Sequence, residues 1–361
     1  SSNTLALRFN GNDSHFTFSG PITSTATVAQ TLTVFTGYSG NGDRESVTFN
    51  SAIPNTGNGS ALSLQVTFQT QTGSQSYVSL PASNTFTGPI TLLKGNSVIT
   101  SYFTIGGVRT NAGSTPGTGK LGGGNYPGNI ALATTTILNY LSSATQTLSG
   151  AISGAGSLSV GGGGTVTLSG VSTFAGNTTI AAGSALVLAS TTGDYKFTVT
   201  DTTTNKITGG GTATLNGKFT IDSSAVTVTS GSWTLVDATT KSFGGTFNLA
   251  GFTGPVSNVY TKVIGGQNWT FNTTTGVLGL TSKAIITSFG IPGSTGVINQ
   301  VAKTISLTVP YGTSLSTLAP TFTLTTGTCN PASGTAPSPS FAAANPATYT
   351  CLLYTSPSPR D

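Results

Sequence analysis

Short runs in which an apolar residue alternates with Thr or Ser recur along most of the chain. The clearest stretch is GGGGTVTLSGVSTFAGNTTIAAGSALVLAS at residues 161–190, where Gly-rich bends separate the runs V-x-L, T-x-I and A-L-V-L. Alternation with a period of two indicates strands with one buried face. Because strands this short are not stable as isolated hairpins, we expect them to stack coil on coil at about 4.8 Å. The pattern predicts an all-β protein, a β-solenoid in which inward Val, Leu, Ile and Phe form continuous columns.

An internal repeat supports the solenoid. The segment VSLPASNTFTGPITLLKGNSVIT at 78–100 is similar to VTLSGVSTFAGNTTIAAGSALVL at 166–188, at a constant offset of 88 residues. We predict that the shared apolar residues are buried and that the shared glycines form bends, so the stretch is a scaffold rather than a site. The predicted structural repeat residues are Leu80, Phe86, Gly88, Leu92 and Gly95 in the first copy, and Leu168, Phe174, Gly176, Ile180, Gly183 and Leu186 in the second.

The second copy resembles the autotransporter-associated β-strand repeat of bacterial passenger domains and related surface proteins. It departs from the typical unit at Ser172, where Asn is usual, and at Phe174, where Tyr is usual. One strong and one degenerate copy cover under a fifth of the chain. The resemblance implies a right-handed parallel β-helix. The residues that sit at the positions of the motif are Gly164, Leu168, Ser169, Gly170, Phe174, Gly176, Thr178, Thr179, Ile180, Gly183 and Leu186.

Three regions are predicted along the chain. Residues 1–283 are assigned to the β-helix, with Trp233 and Trp269 in a C-terminal cap that covers the open edge of the last coil. Residues 284–350 are assigned to an incomplete immunoglobulin-like β-sandwich module, since about four strands are evident where a sandwich needs around seven. The tail CLLYTSPSPRD at 351–361 resembles translated sequencing-adapter read-through and is excluded from the fold prediction. The natural chain is expected to continue beyond it.

Charge and cysteine content exclude several functional classes. Charged residues are only 6% of the chain, and the net charge of +5 comes from scattered Lys and Arg rather than a basic cluster, which argues against nucleic-acid binding. No apolar run is long enough to predict a transmembrane segment. The start at SSNTLALRF suits a mature secreted product or a fragment. A bridge between Cys329 and Cys351, the two cysteines present, is left open.

Few residues are available for catalysis, and no catalytic, cofactor or metal site is predicted. His15 is the one imidazole and is assigned to the surface, although Asp13 and Ser14 adjoin it. The loop GNGDRES, with Asp43, Arg44 and Glu45, is interpreted as a solvated loop, with a Ca²⁺-binding or sugar-binding loop as the alternative. Asp194 and Asp201 are interpreted as a pair of loop residues. Because there is no carboxylate between Asp237 and Asp361, that part of the chain cannot hold a carboxylate dyad.

These observations predict a non-catalytic secreted or cell-surface bacterial protein with a structural role, such as an adhesin-like stalk, a matrix component or a filament subunit. The expected partners are further copies of the chain or other surface proteins, with glycans as another candidate. A glycan-binding module would need exposed aromatic residues along one face, for which Tyr38, Tyr102 and Tyr126 are the candidates.

Two other functions remain as alternatives. A polysaccharide-cleaving β-helix, which would resemble pectin lyases, would need an Arg or Lys base and Ca²⁺, and Arg8, Arg44 and Arg109 are the arginines before the tail. An ice-binding solenoid would need a flat ladder of aligned Thr. The T-x-T runs that suggest it are irregularly spaced, and Thr also occurs on outward strand positions for its β propensity alone. Those runs lie at Thr31–Thr33, Thr165–Thr167, Thr198–Thr200 and Thr227–Thr229.

Overall fold

The structure is a computed structural model that describes residues 4–8, 15–36, 45–68, 75–94, 100–110, 112–189, 191–264, 267–282, 284–300, 302–325, 327–343 and 346–352. The chain divides into two compact units. The first comprises residues 1–227, 232–260 and 271–278, and the second comprises 228–231, 261–270 and 279–361. Within the described residues the fold is all-β, and the helical element is the 3₁₀ turn Gly122–Gly124.

Ten parallel strands form the first long sheet of the first unit. Strands that follow one another in this sheet come from successive coils of the chain, so each pairs with its equivalent one turn later. This is the arrangement that the alternating pattern predicts. The strands are Thr4–Arg8, Gln30–Thr36, Leu62–Phe68, Ile90–Lys94, Ile130–Leu132, Ile152–Gly154, Val171–Ser172, Asp194–Thr200, Lys218–Ala225 and Asn248–Leu249.

A second and a third parallel run complete the coils. They are joined into one sheet because two long strands, Ile207–Leu215 and Val236–Phe243, extend across both. The other strands of the second run are His15–Phe18, Glu45–Phe49, Ser76–Leu80, Ser101–Ile105, Thr136–Leu141, Ser157–Gly161 and Thr178–Ile180. The other strands of the third run, which begins midway along the chain, are Asn125–Tyr126, Thr145–Leu148, Thr165–Leu168 and Ala185–Leu188. We call these runs the second and third sheets.

Inward side chains form the predicted columns. In the third sheet, Leu148 pairs with Leu168, Leu168 with Leu188, and Leu188 with Leu215, and each is at most 3% exposed. Full burial of a Leu side chain contributes about 1.5–3 kcal/mol, so such columns stabilise the fold without charged networks. The parallel β-helix predicted from the sequence is therefore confirmed.

Coil length varies more than the sequence repeat indicates. Thr145 pairs with Thr165 and Thr165 with Ala185, coils of 20 residues, whereas Ile90 pairs with Ile130, a coil of 40. The long coil contains the hairpin Val108–Thr110 and Gly113–Thr115. As a result, the two copies related by the 88-residue offset are out of phase, with Leu80 in the second sheet and Leu168 in the third.

Aromatic rings fill the C-terminal part of the first unit. Phe219 is fully buried and packs edge-on against Phe243, Phe247 and Phe271 at centroid distances of 4.9–6.1 Å. Trp233 in the first unit and Trp269 in the second are each 4% exposed. A five-stranded sheet forms in the order Gly231–Thr234, Val277–Ser282, Gln267–Asn272, Val259–Ile264 and Thr253–Val256.

The C-terminal region is sandwich-like, and its described residues form seven strands in three small antiparallel sheets. Phe289, Phe322 and Tyr349 pack together at centroid distances of 5.3–6.0 Å. Five of the strands have only two or three residues, which is why the sequence suggested fewer. The strands are Ile286–Ile291, Ser294–Thr295, Val297–Asn299, Thr304–Ser306, Thr321–Leu324, Thr328–Asn330 and Thr350–Leu352.

A disulfide joins Cys329 to Cys351, which settles the pairing that the sequence left open. The two cysteines are direct partners of the last two strands, so Cys351 lies in the folded region. Residues 353–361 lie outside the described part of the chain.

Removing this disulfide is expected to destabilise the second unit and leave the β-helix intact. The bridge closes a loop of 22 residues, for which chain entropy gives about 3 kcal/mol. Thermal unfolding of a double Cys329→Ser/Cys351→Ser variant should show an earlier transition for the second unit alone. A uniform shift of all transitions, or no shift, would contradict this assignment.

Candidate functional site

The apolar residues of the predicted repeat are buried, and its described glycines lie at close backbone approaches or bends. A Cβ on Gly88 would lie 2.5 Å from the Leu62 carbonyl oxygen, and one on Gly176 would lie 2.2 Å from that of Gly156. Gly183 has a positive φ of 78° and serves as a bend, while Gly95 lies outside the described residues. The apolar repeat residues, each at most 1% exposed, are Leu80, Phe86, Leu92, Leu168, Phe174, Ile180 and Leu186.

The candidate acid–base residues do not assemble into a catalytic site in the described part of the chain. His15 is exposed and its Nδ1 hydrogen-bonds with Ser46 Oγ. Asp201 accepts two hydrogen bonds from Thr227, from its backbone N–H and from its hydroxyl, each 2.6 Å long. Among the described residues, no three His, Cys, Asp or Glu side chains are grouped to hold a metal ion. Asp13, Asp43 and Arg44 lie outside those residues, as does the side chain of Glu45.

Two ion pairs occupy the outer side of the first sheet. Lys218 Nζ lies 2.9 Å from Asp194 Oδ2, and Lys196 Nζ lies 2.8 Å from Asp222 Oδ2. Asp194 also accepts a hydrogen bond from the Thr220 hydroxyl. The hydrogen bond from Lys196, followed by those from Ser224, lowers the pKa of Asp222 well below that of a free carboxyl. Both carboxylates are therefore held by lysines and hydroxyls.

Replacing Asp222 with Asn is expected to destabilise the protein by under about 1 kcal/mol, because both partners are about a third exposed. Since the pKa of Asp222 is lowered in the folded state, its contribution is complete above the unfolded pKa of about 3.9 and is lost as the pH falls toward the folded value. Urea unfolding of the wild type and of Asp222→Asn should therefore differ at pH 7 and converge in strong acid. A difference that grows with acidification would contradict this origin.

The described candidates for a row of exposed tyrosines, which a glycan-binding module would need, do not form one. Tyr126 is fully buried and its hydroxyl donates to the Gly88 carbonyl oxygen, which excludes it from any exposed row. The ring of Tyr102 stacks on Tyr77 at 5.7 Å, and the guanidinium of Arg109 lies 3.8 Å from its centroid. Its ring is therefore engaged within the protein. Tyr38 lies outside the described residues.

The T-x-T runs lie on different faces. Thr31–Thr33 and Thr198–Thr200 are in the first sheet, Thr165–Thr167 is in the third, and Thr227 lies outside the strands. In the third sheet, the register forms a column in the order Thr145, Thr165, Ala185 and Thr212, so Ala185 interrupts the Thr residues. The alignment is thus local, and ice binding stays a prediction.

The described residues of the first unit include the linings of two cavities that are open to solvent. One, of about 410 Å³, is lined by Ile22–Ala26 with Gln30, Leu32 and Leu62, and the Gln30 amide there already donates to the carbonyls of Val28 and Ala29. The other, of about 380 Å³, lies at the corner between the first and second sheets, and we call it the corner groove. Its lining residues are Ser157, Ala175, Gly176, Asn177, Thr198, Thr200, Thr203, Thr204 and Asn205.

The corner groove exists because coil length increases abruptly. The short strand Val171–Ser172 pairs with only the first two residues of Asp194–Thr200, so the rest of that longer strand extends past it. The chain then turns back through a bridge between Val199 and Thr204. This protruding turn stands over the tighter corner of the preceding coil, at residues 173–177, and leaves the groove between them.

Hydrogen bonds from two asparagines hold the groove walls in place. Asn205 is 5% exposed; its Oδ1 accepts from the Thr198 N–H at 2.8 Å, and its Nδ2 donates to the Lys196 carbonyl at 3.0 Å. Asn177 Oδ1 accepts from the Lys206 N–H at 3.0 Å. The backbones of Gly156 and Gly176 stack closely because no side chain separates them, and Gly176 lines the groove. The groove is therefore preformed.

The sequence does not predict this groove from its alternating pattern. The sequence indicates only a pair of loop aspartates there, Asp194 and Asp201. The signal that could have revealed it is the Thr-rich and Asn-rich loop DTTTNK at 201–206, inserted where the earlier corner has a short turn. Thr178 pairs with Ile207, so this coil has 29 residues.

Comparison with protein families gives a match in the C-terminal region. The family described as "SGBP, N-terminal" matches residues 286–353, which include both cysteines of the disulfide. The family is associated with glycan-binding proteins of the cell surface. No autotransporter repeat family is found. No curated protein matches the chain.

No helix of the described residues is long and apolar enough to cross a membrane. The chain thus combines a parallel β-helix with a region similar to the N-terminal part of surface glycan-binding proteins.

Proposed function

We propose that this chain is a non-catalytic, secreted or cell-surface protein that binds glycans and in which the β-helix is a rigid scaffold. The observation that carries the proposal is the match of residues 286–353 to the SGBP N-terminal family. The match favours glycan binding, the alternative from the sequence, over a role in structure alone.

The β-helix suits a stalk. Its stability comes from buried apolar columns in parallel rungs, such as Leu148, Leu168, Leu188 and Leu215. Each coil contacts its neighbours, so rungs add length without requiring a larger core. A glycan-binding stalk of this kind would act as an adhesin, with self-assembly into filaments or matrix as a finer hypothesis.

The side chains support a role without catalysis. Glycoside hydrolysis uses two carboxyl groups that are free to exchange protons or attack the sugar. Asp194 and Asp222 are instead engaged by lysines, and Asp201 is engaged by Thr227. Arg109, a candidate base for a lyase, lies over the Tyr102 ring.

Affinity electrophoresis of the full chain tests this function. We expect retardation in gels that contain a polysaccharide, using soluble starch, a neutral β-glucan and polygalacturonate, with serum albumin as the unretarded control. Incubation with the same polymers should release no reducing ends and no unsaturated uronate. Mobility unchanged by every polymer would refute glycan binding, and product release would establish the polysaccharide-cleaving alternative.

A further inference from the structure

We infer that the corner groove is a binding site for a neutral glycan. This rests on the proposed function and deepens it, because it assigns the ligand class and places a site in the β-helix, outside the matched segment. With a volume of about 380 Å³, the groove is within the range of small-ligand sites. Its lining combines the hydroxyl and amide groups of Ser, Thr and Asn with the methyl groups of four Thr residues and Ala175.

Three polar groups in the lining have no partner among the described residues. They are the hydroxyls of Ser157 and Thr198 and the Nδ2 group of Asn177. The Asn177 amide is held through its Oδ1 by the Lys206 N–H, which leaves the two Nδ2 hydrogens to donate outward. Hydroxyls both donate and accept, so the set matches the mixed donors and acceptors of sugar hydroxyls.

The lack of a cationic side chain in the lining argues against an acidic glycan as the preferred ligand. No lining residue carries a charge. Of the charged groups on the adjoining chain, Lys196 is paired with Asp222, and Asp201 is engaged by Thr227. Lys206 follows Asn205 and is not in the lining. An uronate or sulfate would therefore lose hydration without gaining a cation inside the groove.

Preorganisation favours binding here. Asn205 fixes the protruding turn to Lys196 and to the Thr198 backbone, so little ordering is needed when a ligand enters. The first cavity offers a ligand fewer donors, since its Gln30 amide donates to the carbonyls of Val28 and Ala29.

The test is a variant of the full chain that removes the three free groups and preserves the shape of the groove, Ser157→Ala/Asn177→Asp/Thr198→Val. Asp at 177 keeps the oxygen that accepts from Lys206. The matched control is Thr145→Val/Thr165→Val/Thr212→Val, which removes three outward hydroxyls from the third sheet. Circular dichroism and thermal unfolding establish that both variants are folded.

Binding to soluble starch and the neutral β-glucan is measured by calorimetry at 150 mM salt, where long-range attraction to polyanions is screened. We expect the groove variant to bind at least tenfold more weakly than the wild type and the control to bind normally, because each neutral hydrogen bond contributes a few-fold. Normal affinity of the groove variant, or tighter wild-type binding of polygalacturonate than of both neutral polymers, would overturn the site while leaving glycan binding intact. Absence of binding by the wild type would refute the proposed function itself.

Discussion

Gly150→Ala is expected to destabilise the β-helix by about 3 kcal/mol or more. A Cβ at this position would lie 2.2 Å from the carbonyl oxygen of Gly128 in the preceding coil. That oxygen belongs to the backbone and cannot turn aside as a side chain can, so the rungs would have to separate. The cause is a glycine column at the corner before the first sheet, made of Gly88, Gly128, Gly150, Gly170, Gly193 and Gly217.

Urea unfolding followed by circular dichroism measures this effect. The control is Gly245→Ala, where a Cβ would have no heavy atom within 4 Å and where φ is not positive. We expect this variant to differ from the wild type by less than about 0.5 kcal/mol. Equal effects of the two substitutions would show that helix corners tolerate a Cβ and that the rung spacing is incorrect.

Phe219→Ala is expected to cost about 3–5 kcal/mol, the range for a buried aromatic side chain that leaves a cavity. Phe219 is fully buried and contacts Phe197, Phe243, Phe247 and Phe271, so several rings lose a packing partner together. Both the lost burial and the cavity contribute. Thermal unfolding of the first unit should therefore shift by many degrees.

Two variants separate packing from a general effect of aromatic substitution. Phe219→Leu keeps most of the volume and should cost less than half as much as Phe219→Ala. Tyr311→Ala removes an exposed ring in the second unit and should leave stability unchanged within about 0.5 kcal/mol. If Phe219→Ala proved as mild as Tyr311→Ala, the aromatic cluster would not be a core.

The sequence predicted the architecture well because strand alternation reports burial directly. Val166 and Leu168 are buried at alternate positions of one strand, and Leu186 and Leu188 are buried at alternate positions of the next strand in the sheet. Thr167 and Val187, which lie between them, face outward. The register of the strands could not be predicted from the sequence, because the residues that pair depend on the length of each coil. The hairpin at 108–115 lengthens one coil to 40 residues, so Leu80 and Leu168 occupy different sheets despite their similar surroundings in sequence.

The candidate site was harder to predict than the fold. The groove arises from a difference in length between neighbouring coils, and a period-two pattern carries no information on such a difference. Tyr126 shows the converse problem, since a tyrosine in a Gly-rich loop looks exposed, yet it fills a corner and packs edge-on against Phe86 at 5.7 Å. Short sheets and a disulfide define the C-terminal region, where alternation is too brief to be informative.

The central claim is that successive coils stack as parallel rungs in register. Register in the third sheet links Asn125 to Ser242 through five steps, by way of Thr147, Thr167, Val187 and Thr214. Parallel strands lie about 4.8 Å apart, so the backbone distance is about 19 Å from Asn125 to Thr214 and about 24 Å from Asn125 to Ser242.

Pulsed electron paramagnetic resonance on spin-labelled Asn125→Cys/Thr214→Cys and Asn125→Cys/Ser242→Cys measures both distances, since the native cysteines are bonded to each other. We expect narrow distributions whose means differ by about 5 Å, the spacing of one rung, although the second pair spans 28 more residues of sequence. Broad distributions, or means that differ by more than about 10 Å, would contradict the stacked parallel rungs.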